Sequence, residues 1–172
     1  MKRRPATPRS PSDAPALGGA AAPRRFVDGY LGYLLGQANH ALYKEFDAHV
    51  RAAGLSSIEW RVLATLHDSE PLTVSRLAHE VLSKQPTVTK LARRMADQGW
   101  LRLEADPADQ RRTLVAATPG GRRLVQPLVE RARQQEAELL RMLSARDKAA
   151  LKRLLASLAL ARPSSKQSAY PA

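Results

Sequence analysis

The chain of 172 residues contains no cysteine, which excludes a disulfide framework, a thiolate metal site, a cysteine nucleophile and a thiol redox sensor. Aromatic residues are scarce at 5%, and acidic residues number 16 against 28 lysines and arginines. The resulting formal charge of +12 suits a polyanionic partner, nucleic acid or an anionic membrane face, and repels basic ones. No uncharged apolar run approaches the roughly 18 residues that a bilayer-crossing helix requires, so no membrane span is expected. There is no glycine-rich phosphate loop, His79-Glu80 lacks the second histidine of a zinc-protease helix, and no serine sits in a nucleophile elbow. Catalysis is therefore not expected. His40 and His49 are too far out of phase to share a helical face, and with His67 and His79 they read as surface histidines, so neither a metal nor a cofactor is expected.

What remains is one domain's worth of chain with basic ends. Residues 1–25 hold Lys2, Arg3, Arg4, Arg9, Arg24 and Arg25 against Asp13, among five prolines and an Ala/Gly stretch. Such a piece cannot bury a core and reads as a disordered basic arm. It lacks the apolar helical face that an organellar transit peptide interleaves with arginines. Residues 162–172 read as a second, short flexible tail. Between them, residues 26–161 carry 20 basic and 15 acidic side chains, and residues 73–123 alone carry 10 and 5. The net positive charge of the body thus equals that of its middle segment.

Hydrophobic spacing predicts a helix over 26–53, through Phe26, Tyr30, Leu34, Ala38, Leu42, Phe46 and Val50, stopped by Gly54. Its apolar set drifts around the helix, which calls for partners on more than one side, another subunit among them. Ser56 or Ser57 caps a second helix ending near Asp68, Thr73 a third, and Ser83 a fourth that holds Pro86 in its first turn and runs to about Gln98. From Trp100 the pattern turns extended, and strands on either side of Asp106 to Arg112 predict a hairpin with arginines at its tip. Thr118 and Pro119 open a long helix that buries Leu124, Val125, Leu128, Val129, Leu139, Leu140 and Leu143, with Pro127 as a kink point. Ser144 and Asp147 cap a last helix that buries Leu151, Leu154, Leu155 and Leu158.

Three helices followed by a hairpin, with positive charge gathered there, describe a winged helix-turn-helix. At 100° per residue, Val88, Leu91, Ala92 and Met95 of the fourth helix form an inward stripe, while Pro86, Thr87, Thr89, Lys90, Arg93 and Arg94 fall on the opposite side. Entering a major groove N-terminus first, the helix brings Gln85, Pro86, Thr87 and Thr89 to base edges, with Ser83 and Lys84 at its start and Lys90, Arg93 and Arg94 on phosphates or guanines. Arg111 and Arg112 at the wing reach an adjacent minor groove, and Asp109, out of place beside DNA, is expected to pair with an arginine and shape the tip. The competing reading is a solvated helix face.

Residues 55–63 (LSSIEWRVL), 72–78 (LTVSRLA), 85–91 (QPTVTKL), 99–103 (GWLRL), 106–112 (DPADQRR) and 114–121 (LVAATPGG) together resemble successive blocks of MarR-family transcriptional regulators. The similarity covers residues 26–161, and its wing pattern, Asp-x-Arg followed by Thr-x-x-Gly, is specific in combination. The resemblance implies a mainly α fold with a small β-hairpin wing: a winged lobe over 55–117 and dimerisation helices over 26–54 and 118–161. It also implies a homodimeric repressor on a pseudo-palindrome in double-stranded DNA, released by a small aromatic carboxylate, in a bacterial, nucleoid-associated, cytoplasmic setting. By the same resemblance Gln37, His40 and Tyr43 face the effector crevice, although none is the arginine that relatives place there. Tyr33, Trp60 and Arg61 complete an aromatic pocket with one cation, or Tyr33 and Trp60 are core residues and His40 an interior hydrogen-bonded one. The region of His40 and residues 84–87 (KQPT) resembles members that repress nicotinate catabolism and answer to hydroxynicotinic acids. The alternative function is an effector-independent architectural DNA-binding protein, whose affinity falls with salt but barely discriminates sequence.

Overall fold

The structure, a computed structural model, describes residues 25–160, so the expectations for the arm (1–24) and the tail (161–172) lie outside the described residues. The chain divides at His40/Ala41 into two units. In the first lie α1 (Phe26–Gly29) and the start of α2 (Leu31–Ala52). The single helix expected over 26–53 is interrupted at Tyr30, whose ψ of 115° is extended. Gly29 weakens the helix there, and the Tyr30 ring turns back to stack on Phe26 with centroids 5.0 Å apart. Arg25 and Asp28 bridge at 2.6 Å across the first turn. Phe26, Tyr30, Leu31, Leu34 and Leu35 are all exposed.

The second unit holds the rest of α2, α3 (Ser57–Leu66), β1 (Leu72–Thr73), α4 (Val74–Glu80), α5 (Gln85–Asp97), β2 (Leu101–Asp106), β3 (Asp109–Ala117), α6 (Pro119–Leu139), a 3-10 turn (Leu140–Met142) and α7 (Ala145–Leu160). The strands form an antiparallel sheet in the order β1-β3-β2, with Leu72 opposite Val115 and Leu103 opposite the same residue from the other side. β1 was absent from the sequence reading. Thr73 is at once its last residue and the cap of α4, accepting from Arg76 N. One core joins Phe46 and Val50 of α2 to Val62, Leu63 and Leu66 of α3, Leu77 of α4, Val88 and Met95 of α5, Val115 of β3 and Val125 and Leu128 of α6. α6 runs unbroken through Pro127, and the interruption falls instead at the 3-10 turn.

The expected burial of Leu139, Leu143, Leu151, Leu154, Leu155 and Leu158 is not found: all six are exposed, and α7 has no buried residue.

Candidate nucleic-acid interface

α5 is delivered by a tight turn. Ser83 N donates to Ala78 O at 2.9 Å, closing α4, while Leu82 takes a left-handed φ of 54°. The residue preceding α5 is Lys84, which has no side-chain oxygen to cap it. The cap expected at Ser83 is thus misplaced by one residue. Pro86 lies in the first turn as anticipated. Val88, Leu91, Ala92 and Met95 are buried, and Lys84, Gln85, Pro86, Thr87, Lys90, Arg93 and Arg94 are exposed. Ser83 and Thr89 are half-buried, and the Thr89 hydroxyl donates back to Gln85 O at 2.9 Å. Lys84, Lys90, Arg93 and Arg111 carry none of the ion pairs among the described residues.

Arg94 differs. Its guanidinium bonds Glu59 at 2.9 Å, and Glu59 is buried at 6% exposure. The other Glu59 oxygen accepts from the amide and hydroxyl of Ser56, completing the capping box of α3. Burial pushes this carboxyl up, but the Ser56 hydroxyl and amide, with the hydrogen bond and charge of Arg94, outweigh it and hold Glu59 below the usual glutamate value.

The wing is ordered by its acidic residues. Asp106 accepts from Ala108 N at 2.9 Å, and Asp109 accepts from Arg111 N at 3.1 Å and pairs with Arg112 at 3.1 Å. The pairing foreseen for Asp109 is present. Arg112 is thereby held, whereas Arg111 has no ion pair among the described residues.

Behind α5, Gly99 at φ +74° lets Trp100 N reach Met95 O at 2.9 Å and end the helix. The Thr118 hydroxyl lies 2.7 Å from Gly99 O, its amide donates to Trp100 O at 3.0 Å, and its oxygen accepts from Gly121 N at 3.0 Å. A Cβ on Gly121 would stand 2.2 Å from Trp100 O. The Thr-x-x-Gly motif therefore fastens the start of β2 to the start of α6 at a separation only glycine permits.

The residues expected around an effector are dispersed differently. Tyr33, Gln37 and His40 are exposed in the first unit. In the second, a depression of about 200 Å³ is lined by Leu42, Tyr43, Phe46, Trp60, Ala132, Gln135 and Glu136. Trp60, 8% exposed, meets Phe46 edge to face at 5.0 Å and so serves the core and the depression together. Arg61 does not line it. It points the other way and donates to Val81 O at 2.9 Å, supporting the turn before α5. Gln135 and Glu136 were missed, although they continue the inward row Val125, Leu128 and half-buried Ala132 at helical spacing. Gln135 donates to Leu42 O at 2.9 Å, and Glu136 pairs with Lys152 of α7.

Comparison with known proteins agrees with this geometry. Residues 53–112 match the model of the MarR family. The HTH-type transcriptional repressor NicR of Pseudomonas putida is 26% identical over 69% of this chain and 80% of its own length. A structure of BpsR of Bordetella bronchiseptica, whose DNA binding is regulated by 6-hydroxynicotinic acid, superposes with TM-score 0.67 at 27% identity, covering 81% of this chain and 99% of that one. A structure of the MarR family transcriptional regulator SPO1453 of Silicibacter pomeroyi is 38% identical with TM-score 0.67, covering 78% of this chain and 98% of that one. With a three-stranded winged lobe, a core-seated α5 and a relative this similar along almost its whole length, the chain belongs to the MarR family of transcriptional regulators.

Proposed function

We propose that this chain is a homodimeric repressor that binds a pseudo-palindromic operator and releases it on binding a small aromatic acid. The observation that carries the DNA-binding half is the two-faced α5, with its inner stripe seated in the core and its outer face exposing Gln85, Pro86 and Thr87 beside Lys84, Lys90 and Arg93, which have no ion pair among the described residues. In a major groove, Gln85 pairs with adenine, Pro86 touches a thymine methyl group and Thr87 meets a base edge, while the cations meet phosphates or guanines. Ser83 and Thr89 flank this set. Arg111 and Arg112 reach the neighbouring minor groove. Residues 55–117 form the DNA-binding lobe, and 26–54 and 118–161 the dimerisation helices.

Dimerisation is favoured by apolar surface on each unit taken alone: Phe26, Leu31 and Leu34 in the first, and Leu151, Leu154, Leu155 and Leu158 in the second. Such surface left in water costs about 25 cal/mol per Å² relative to burial. Two α5 helices about 34 Å apart enter successive major grooves on one face of the duplex. For a ligand to lower operator affinity a hundredfold, it must favour the DNA-incompetent form by about 2.7 kcal/mol.

The depression lined by Tyr43 and Trp60 suits a planar ring. Similarity to NicR and to BpsR, the latter regulated by 6-hydroxynicotinic acid, favours a hydroxynicotinate-like acid. Gel-shift titration on DNA flanking the protein's own gene, against scrambled competitor and with a panel of aromatic acids, tests the whole reading. Specific binding relieved by one acid is expected. Equal binding to scrambled DNA replaces the regulator with an architectural binder.

A further inference from the structure

We infer that Arg94 is a positioning residue for α5 rather than a DNA contact, acting through the buried carboxylate of Glu59. The inference rests on the reading of α5 as the DNA-binding helix. Helical phase alone puts Arg94 on the same outer face as Lys90 and Arg93, which is why sequence reasoning assigns it to DNA. In the structure, Glu59 divides its two oxygens between two helices. One accepts from the amide and hydroxyl of Ser56 at 2.8 and 2.6 Å, and the other accepts from Arg94 Nη2 at 2.9 Å. A single planar carboxylate thus ties the N-terminus of α3 to α5 across 35 residues of sequence.

α3 is a fixed reference, since Trp60, Val62, Leu63 and Leu66 on it are buried. The contacts that seat α5 through Val88, Leu91, Ala92 and Met95 are apolar and carry little directional preference. A charge-assisted hydrogen bond does carry direction, and it resists rotation of α5 about its own axis. Reading base edges demands placement within about 0.5 Å and 10–20°. The Arg94 side chain is 61% exposed, so it has reach to DNA, but swinging it there would strand the Glu59 carboxylate in the core without its cation. Its neighbour Arg93, exposed and outside every described ion pair, has no such tie.

The test compares wild type, Arg94→Ala, Arg94→Lys, Glu59→Gln and the double variant Glu59→Gln/Arg94→Ala, each first checked to be folded by its thermal melt. The probe is a duplex that the wild-type protein selects from a random-sequence library. Arg94→Ala, Arg94→Lys and Glu59→Gln should each weaken binding about tenfold, with an unchanged slope of log affinity against log salt. The double variant should bind like Arg94→Ala. A phosphate contact from each protomer would instead make the Arg94→Ala slope shallower by about 1.8 for the dimer, about 0.9 per contact, while Arg94→Lys kept it. That outcome, or wild-type affinity in Glu59→Gln, overturns the inference. Amide hydrogen exchange in α5, which needs no DNA, should quicken in Glu59→Gln and Arg94→Ala, and unchanged exchange overturns the inference even if no duplex is selected and the regulator reading fails on its own.

Discussion

α5 and α7 are helices of similar length in one chain, and they use their apolar residues in opposite ways. α5 has four buried side chains, Val88, Leu91, Ala92 and Met95, and a polar outer face. α7 carries five leucines and buries none of them. Apolar content therefore does not decide burial. α5 is covered because α4 and β2 pack against it, and it is held in angle by the Glu59–Arg94 bond. α7 is linked to α6 by the Lys152–Glu136 pair, an exposed contact of a kind worth about 1 kcal/mol or less. Its leucines are suited to a surface outside the chain, which is the physical content of the proposed dimer.

The largest effect that would sharpen this contrast is expected in the core under α5. Met95→Ala should lower unfolding free energy in urea by about 3 kcal/mol at any protein concentration. By contrast, Leu155→Ala should act mainly on association, lowering the melting temperature most in dilute solution and moving the monomer–dimer midpoint in sedimentation. Equal, concentration-independent losses would erase the distinction between the helices. Next comes the fastening behind α5: Gly121→Ala sets a methyl group against Trp100 O and should cost about 2 kcal/mol in the same urea titration.

A smaller effect of opposite sign is expected at Leu82, 65% exposed in the left-handed region at the turn into α5. Leu82→Gly removes that backbone penalty and should raise stability by about 1 kcal/mol. Smallest and most diagnostic is the response to acid. The folded state holds Glu59 below its ordinary value, so this carboxylate's contribution is full above the unfolded-state pKa and is lost as pH falls through the lowered one. Urea midpoints measured downward from neutral pH should show that loss in wild type and a flatter profile in Glu59→Gln. A wild-type profile retained in Glu59→Gln would show that other carboxylates govern acid sensitivity.

Local chemistry was legible without coordinates. Thr73 and Thr118 cap their helices, Ser56, one of the two serines the sequence offered, caps α3, and Gly99 ends α5, because each uses partners within a few residues. The α5 stripe was legible for the same reason, since helical phase is a local property. The break at Tyr30 was not: the apolar rhythm continues through it, and the interruption follows from a ring stacking back on Phe26. β1 was missed because two residues have no periodicity and become a strand only by pairing with Leu114 and Val115. Arg61 was assigned to a pocket by its neighbour Trp60, yet adjacent helical residues diverge by about 100°, and its guanidinium serves the turn before α5.

The sequence by itself determined the winged helix-turn-helix order, the concentration of positive charge in the middle segment and the inner face of α5, since all three depend on residue type and short-range spacing. Only the tertiary structure decided which of these cations a carboxylate engages. Lys90, Arg93 and Arg94 look alike in one dimension, but a buried carboxylate 35 positions away claims Arg94, because a charge taken out of water requires a partner wherever the fold brings one.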